Sequence, residues 1–401
     1  MTEPKRPRGL KRSTEDANTE VTEKRPKQLG ENEVEQEGNE ETETLVFRGE
    51  GAEEVDDIKE LRMIYESAVE KLGSSAPKSA LSLLRGAIHE CDRILRTQPE
   101  NQRPPYIFYW VYASALQDLG ELLEADGEES CIPYVDEALD RLERGAERLE
   151  EAEEGDKEEG WKLWLAFGNA LMKKATQALK ENNKKRSSKG KDKRRSDEEF
   201  AVQAVEKFEQ ASAERWESAR NEVLMRAADL VQAFGDLRED WDGREKWNLW
   251  AISKYEIAIK PESNPLAAYT GLGSCYLSLA NYWLEQIDSD EGEEGAEEKE
   301  TNEEELTEEE KKAAGYLEKS VDYYKRALDI AKEKDCINSE LLTMLSEALI
   351  NLANLTLNDE EQTALYREAV TLLKQARGMG HTLPAQFEEF IEEWERELDE
   401  N

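Results

Sequence analysis

Residues 251–276 read AISKYEIAIKPESNPLAAYTGLGSCY, and two spacings inside them decide the fold. Ala251, Tyr255 and Ala258 stand at steps of four and three, so they share one face of a helix. Two small residues around a large ring let a second helix approach closely while the ring fills the space between them. Tyr269 follows eighteen residues after Ala251, and Leu272, Gly273 and Tyr276 continue from it at steps of three, one and three. These four again share one face, with a small residue at its centre.

Both signatures fall in the register of the tetratricopeptide repeat, a unit of about 34 residues with W-x2-L-G-x2-Y on its first helix and A-x3-F-x2-A on its second. The same reading extends along the chain. Trp164-x2-Phe167-Gly168-x2-Leu171 predicts a first helix, and Ala204-x3-Phe208-x2-Ala211 its partner. Ser320-x3-Tyr324-x2-Ala327 completes the repeat begun at Tyr269, and Ala369-x3-Leu373-x2-Ala376 pairs with a helix around Leu342. Leu317, Val321, Tyr324, Leu328 and Ala331 lie on one helical face, as do Leu342, Leu345, Leu349 and Leu352. The expected fold is therefore all-α, a superhelical array of degenerate tetratricopeptide-like helix pairs over residues 53–400. The helix spacings are irregular and several glycines are replaced, so the array departs from consensus repeats.

Two like-charge blocks interrupt it. Residues 182–197 form a basic stretch and residues 288–310 an acidic one, and both are expected as solvated loops because such blocks repel themselves. Residues 1–52 lack helical periodicity and are rich in charge, so a disordered tail is expected there. Within it, Lys5, Arg6, Pro7, Arg8, Lys11 and Arg12 form one basic cluster and Lys24, Arg25 and Lys27 a second. Import receptors read such short basic segments, so the tail is expected to carry a nuclear localisation signal.

Composition narrows the function. With 54 basic against 93 acidic residues, the formal charge of −39 repels nucleic acid and anionic membrane and suits basic partners. Direct nucleic-acid binding by the folded body is disfavoured, and no apolar run is long enough to cross a bilayer. The polar, basic start argues against a secretory signal, and four scattered cysteines without a C-x-x-C pair suggest a reducing compartment. A soluble intracellular protein is expected.

Motifs that would carry catalysis are missing. The sequence contains no G-x-S-x-G, phosphate-binding glycine loop or H-E-x-x-H. Its two histidines, His89 and His381, stand far apart, and His89 has only Asp92 at helical ligand spacing. No metal, other cofactor or catalytic residue is expected. Trp161, Trp164, Trp247, Trp250 and Trp283 stand at helix-face spacing and read as core packing before they read as a binding stripe. In arrays of this kind the first helices line an inner groove for a peptide or partner helix. With Trp164 at the large-aromatic position, Lys162, Asn169 and Lys173 turn towards that groove, and Arg226 and Asp229 do so from the helix around Leu224. An asparagine there can hold a partner's backbone and lysines its carboxylates.

Gly86-Ala87-Ile88-His89-Glu90-Cys91-Asp92-Arg93-Ile94-Leu95-Arg96 resembles the G-x-[IV]-H-E-C-D-R-x-L-R segment of the fungal enhancer of translation termination family. That family includes the negative regulator of a prolyl-hydroxylase-like 2-oxoglutarate dioxygenase. Lys5-Arg6-Pro7-Arg8-Gly9-Leu10 is similar to the start of family members, and Tyr112–Leu119 adds to the likeness. The resemblance implies a nuclear, tetratricopeptide-like protein that binds the dioxygenase, helps its import together with an import receptor, and restrains its activity in hypoxic gene expression. It also implies a role in translation termination, with ribosome-associated or termination factors as further partners.

Three other readings compete. An acidic tract inside a tetratricopeptide repeat is also the layout of acidic histone chaperones. An enzyme would need a pocket of convergent titratable groups, and an RNA-binding factor would need salt-sensitive binding through the two basic segments. The resemblance favours the non-catalytic adaptor.

Overall fold

The computed structural model describes residues 57–74, 77–99, 102–127, 129–186, 195–213, 220–259, 265–291 and 305–400. Thirteen α-helices and two short 3-10 turns account for most of these, and no strand occurs among the described residues. The helices are α1 (Asp57–Leu72), α2 (Leu81–Thr97), α3 (Tyr106–Ala125), α4 (Ile132–Glu151), α5 (Gly160–Arg186) and α6 (Arg195–Ala211). They continue with α7 (Arg220–Asp236), α8 (Trp241–Ala258), α9 (Leu266–Glu291), α10 (Glu308–Glu333), α11 (Ser339–Asn354), α12 (Asp359–Gly378) and α13 (Ala385–Glu400). Each odd-numbered helix from α1 to α11 packs on the even-numbered one after it, and the first helices also meet one another, as α3 does α5 and α7 does α9. The all-helical array expected from the sequence is the observed fold.

Local chemistry starts and stops the helices. Thr307 accepts from the Glu310 amide while the Glu310 carboxylate takes the Thr307 amide, which closes a capping box on α10. Asp240, Asn338 and Asn358 cap α8, α11 and α12 by accepting an amide hydrogen bond three residues on.

Close approach within the pairs follows the small residues. A Cβ at Gly168 on α5 would lie 2.3 Å from the Phe208 ring of α6, and one at Gly273 on α9 would lie 2.6 Å from the Tyr324 ring of α10. Both rings are fully buried, so glycine at these points sets how near the two helices come. In α11 the equivalent position is Ser346, whose hydroxyl donates to the Leu342 and Ala369 carbonyls instead. The Leu317–Ala331 face of α10 is buried throughout, and so are Leu342, Leu345 and Leu349. Of the tryptophans, Trp164 and Trp247 are buried and Trp161, Trp250 and Trp283 pack partly buried against the core.

One apolar cluster runs from α1 to α8 and another from α9 to α13, with a smaller one at the α7–α9 junction. The charged blocks begin and end differently from a simple loop. Helix α5 continues to Arg186 and α6 starts at Arg195, while α9 reaches Glu291 and α10 starts at Glu308. Residues 182–186, 195–197, 288–291 and 308–310 of these blocks are thus helical. The middle of each block lies outside the described residues, as does the whole tail 1–52 with its basic clusters.

Candidate partner-binding groove

Three of the residues expected to face a groove lie on α5. Lys162, Asn169 and Lys173 occupy one face of α5. Lys173 is half-buried and pairs with Glu121 of α3 at 3.0 Å. Its ammonium stays charged because Glu121 offsets the cost of burial, so its pKa is raised. The Asn169 Oδ1 is buried without a hydrogen-bond partner. At the other end, Lys162 lies 4.8 Å over the Trp110 ring and pairs with Glu159, which also binds Arg62 of α1.

Arg226 is exposed on α7, and its charge acts on two groups that reach it from other helices. These are Asp118 of α3 and Tyr65 of α1, joined by a hydrogen bond in which the Tyr65 hydroxyl donates at 2.8 Å. Burial pushes the Asp118 carboxyl up to about 6, with Glu121 adding to the rise and Tyr65 and Arg226 opposing it. Tyr65 and Asp118 were missed by reading the sequence. Repeat geometry projects only along one helix at a time, whereas this pair joins residues 53 apart.

Asp229, one turn beyond Arg226, opens a second part of the groove. A cleft of 370 Å³ lies between α7, α9 and α11, with Asp229, Gln232, Thr270, Ser274, Asn338 and Glu340 among its polar lining. The buried Tyr255 hydroxyl of α8 donates to Asp229 at 2.6 Å, and Gln232 donates to Ser274 at 2.7 Å. Asp229 reaches solvent through the cleft, yet the surrounding protein still raises its pKa, with the Tyr255 hydrogen bond and Arg226 opposing. Of the five expected groove residues, Lys162, Asn169 and Lys173 thus lie on α5 and Arg226 and Asp229 on α7, with Asp229 in the cleft.

The H-E-C-D-R segment has a structural account. Cys91 is fully buried in the core, which raises its thiol pKa and keeps it protonated. Asp92 accepts from the Tyr112 hydroxyl at 2.6 Å, Glu90 pairs with Arg93, and His89 is exposed. No cluster of His, Cys, Asp and Glu suited to a metal occurs among the described residues, and among them no helix is long and apolar enough to cross a membrane.

The fold defines a class: an all-helical, tetratricopeptide-like repeat scaffold. Residues 1–247 match the family model described as nuclear pore complex subunit Nro1, and residues 247–394 match the one described as negative regulator of ofd1, C-terminal. The chain belongs to the Nro1 family, and the resemblance drawn from the H-E-C-D-R segment is correct. It is 24% identical over 264 residues to enhancer of translation termination 1 of Yarrowia lipolytica, covering 60% of this chain and 64% of that protein. It is 33% identical over 129 residues to negative regulator of ofd1 of Schizosaccharomyces pombe, covering 30% of each. The matched region is thus less than two thirds of the length of either relative. Among solved structures it is similar to the S. pombe nuclear import adaptor Nro1, with a TM-score of 0.57 and 21% identity over 84% of this chain and 99% of that one. That likeness supports the fold. The nuclear localisation expected from the tail accords with the family's description.

Proposed function

We propose that this chain is a non-catalytic nuclear adaptor and regulator that binds a 2-oxoglutarate dioxygenase along the inner face of its first helices. In this reading it aids import of the dioxygenase with an import receptor, restrains its activity in hypoxic gene expression, and serves translation termination. Support comes from the relatives: one is named negative regulator of ofd1, and a related solved chain is described as a hypoxic regulator of sterol synthesis and a nuclear import adaptor. The observation that carries the reading in this chain is the central groove. There a buried Asn169 oxygen lacks a hydrogen-bond partner, and Asp118 sits at a carboxyl pKa of about 6. A buried oxygen without a partner and a buried carboxyl both cost stability, and a binding role for this face accounts for their presence.

The test is affinity purification of the full chain from nuclear extract at moderate salt, read by mass spectrometry. Recovery of a 2-oxoglutarate dioxygenase with an import receptor supports the adaptor. Changing Asn169 and Lys173 together to alanine is expected to weaken that capture about tenfold, as truncating central interface residues does, with the helical content unchanged. Recovery of core histones, lost on deleting residues 288–310 from the end of α9 to the start of α10, would replace this reading with a histone chaperone.

A further inference from the structure

The cleft between α7, α9 and α11 differs in charge from the rest of the groove. Lys173 and Arg226 bring cations to the centre, but the cleft is lined by two carboxylates, Asp229 and Glu340, and by no lysine or arginine. Arg226, one turn from Asp229 and outside the cleft lining, is the cation whose charge reaches Asp229. Asp229 is fixed: one of its oxygens accepts from the Tyr255 hydroxyl, whose ring is fully buried. Its position is therefore set before any ligand arrives. Around the carboxylates the wall turns apolar at Leu266, Leu341 and Met344. The helix start at α11 does not call for an anion, because the Asn338 side chain already accepts the Leu341 amide at 2.7 Å.

A long aliphatic stem ending in a spread positive charge fits such a lining. The stem covers apolar wall while the head pairs with carboxylates. A guanidinium presents its donors as a planar fork, so it can engage two separate carboxylates where an ammonium meets them as a point charge. The volume, 370 Å³, lies within the roughly 300–1,000 Å³ of ligand pockets. We propose that this cleft is a recognition pocket for an arginine side chain of the protein that lies along the groove, held by Asp229 and Glu340 over Leu266, Leu341 and Met344. The proposal rests on the reading of the inner face as a partner groove and adds the chemistry that the partner must present. The arginine anchors the partner at the α7–α11 end, while Asn169 and Lys173 meet its backbone and carboxylates at the centre.

The chain has six methionines, and Met344 lies in the cleft wall, so methyl-labelled methionine provides a local reporter in the full-length protein. The probe is N-acetyl-arginine methylamide, compared with its neutral isostere N-acetyl-citrulline methylamide. The expected result is a saturable shift of the Met344 methyl with the arginine probe, at least fivefold weaker with citrulline and lost in Asp229→Asn with Glu340→Gln. Equal response to both probes, or none at Met344, would overturn the pocket. Asp229→Asn keeps an acceptor for Tyr255, so the variant retains its fold and the comparison stays valid. Capture of the dioxygenase separates this proposal from the one beneath it. If the carboxylate double variant captures normally while Asn169→Ala with Lys173→Ala does not, the groove stands and the arginine pocket falls. If both double variants capture normally, the groove reading itself fails.

Discussion

Helices α1 to α6 and the junction of α7 to α9 are built from the same repeat, yet they are held together differently. Within the first group the centre is mainly apolar: Leu61, Leu84, Leu142, Leu163, Met172 and Phe208 are all fully buried, with few polar links such as Gln117 to the Ala166 carbonyl. At the junction a polar seam runs through the interface. Gln232 bonds Ser274, Asn248 donates to Ser278 at 3.4 Å, and the Ser278 hydroxyl donates to Asp236. Asn248 is fully buried, and its Oδ1 has no hydrogen-bond partner. Burying apolar side chains is worth far more than exchanging water for protein hydrogen bonds, which nets about 1 kcal/mol each. The comparison teaches that the array is not uniform. Its amino-terminal body is mainly apolar and the junction adds a polar seam to its apolar cluster, so the joint is expected to be the weaker of the two. The carboxylate-lined cleft opens beside that joint, sharing Gln232, Tyr255 and Ser274 with it.

The largest expected effect lies in the cohesive body. Leu142→Ala opens a cavity in a fully buried site and should cost about 3–5 kcal/mol, read as a fall in the urea midpoint. A loss below about 1 kcal/mol would mean that α3 to α5 can collapse around the gap, and the contrast with the junction would disappear. Gly168→Leu comes next, at roughly 2–3 kcal/mol, because its Cβ must part α5 from the Phe208 ring. Gly315→Leu on α10 is the control. A Cβ there meets nothing within 4 Å, so better helix propensity should stabilise by about 0.5–1 kcal/mol.

The seam should respond more gently. Gln232→Ala removes the bond to Ser274 and one acceptor of Tyr255, which keeps Asp229, so about 1–2 kcal/mol is expected. Hydrogen exchange sharpens the comparison further. Amides of α9 near Ser274 should open at lower free energy than those of α3, and Gln232→Ala should widen that gap. Equal protection in both helices would show that the seam is as cohesive as the apolar body.

These contrasts were only partly legible in the sequence. The helix pairs were readable because small and large residues recur at steps of three and four, and Phe208 and Tyr324 stand against the glycines that those steps selected. Single helix faces were readable for the same reason, which placed Lys162, Asn169 and Lys173 together on α5. Contacts across repeats were not. Tyr65 with Asp118 joins α1 to α3 and depends on how successive pairs rotate against each other, which no local period records. The cleft was invisible for the same reason, since Asp229 and Glu340 line one space only once α7 and α11 flank α9.

The smallest expected effect concerns Asp118, and its sign decides what the groove costs. In the folded chain its carboxyl titrates at about 6, against about 4 for an ordinary aspartate. Above pH 6 the group is ionised both folded and unfolded, and the folded state bears the full penalty of burying the charge. As pH falls from 6 towards 4 the folded state takes up the proton first, so stability rises, and below about 4 the gain is complete. Asp118→Asn is neutral at every pH, and its amide oxygen can still accept from Tyr65. It should therefore stabilise the chain above pH 6 by about 1 kcal/mol, allowing for the water that screens a half-buried group, or a Tm increase of about 2 °C. That advantage should shrink to nothing near pH 4. A variant that is less stable than the parent at pH 7.5 would show the attraction of Arg226 outweighing burial, making Asp118 a structural ion rather than a strained one. If the variant is more stable and captures the dioxygenase more weakly, then the inner face keeps a charge that its own fold would be better without, and binding is the reason.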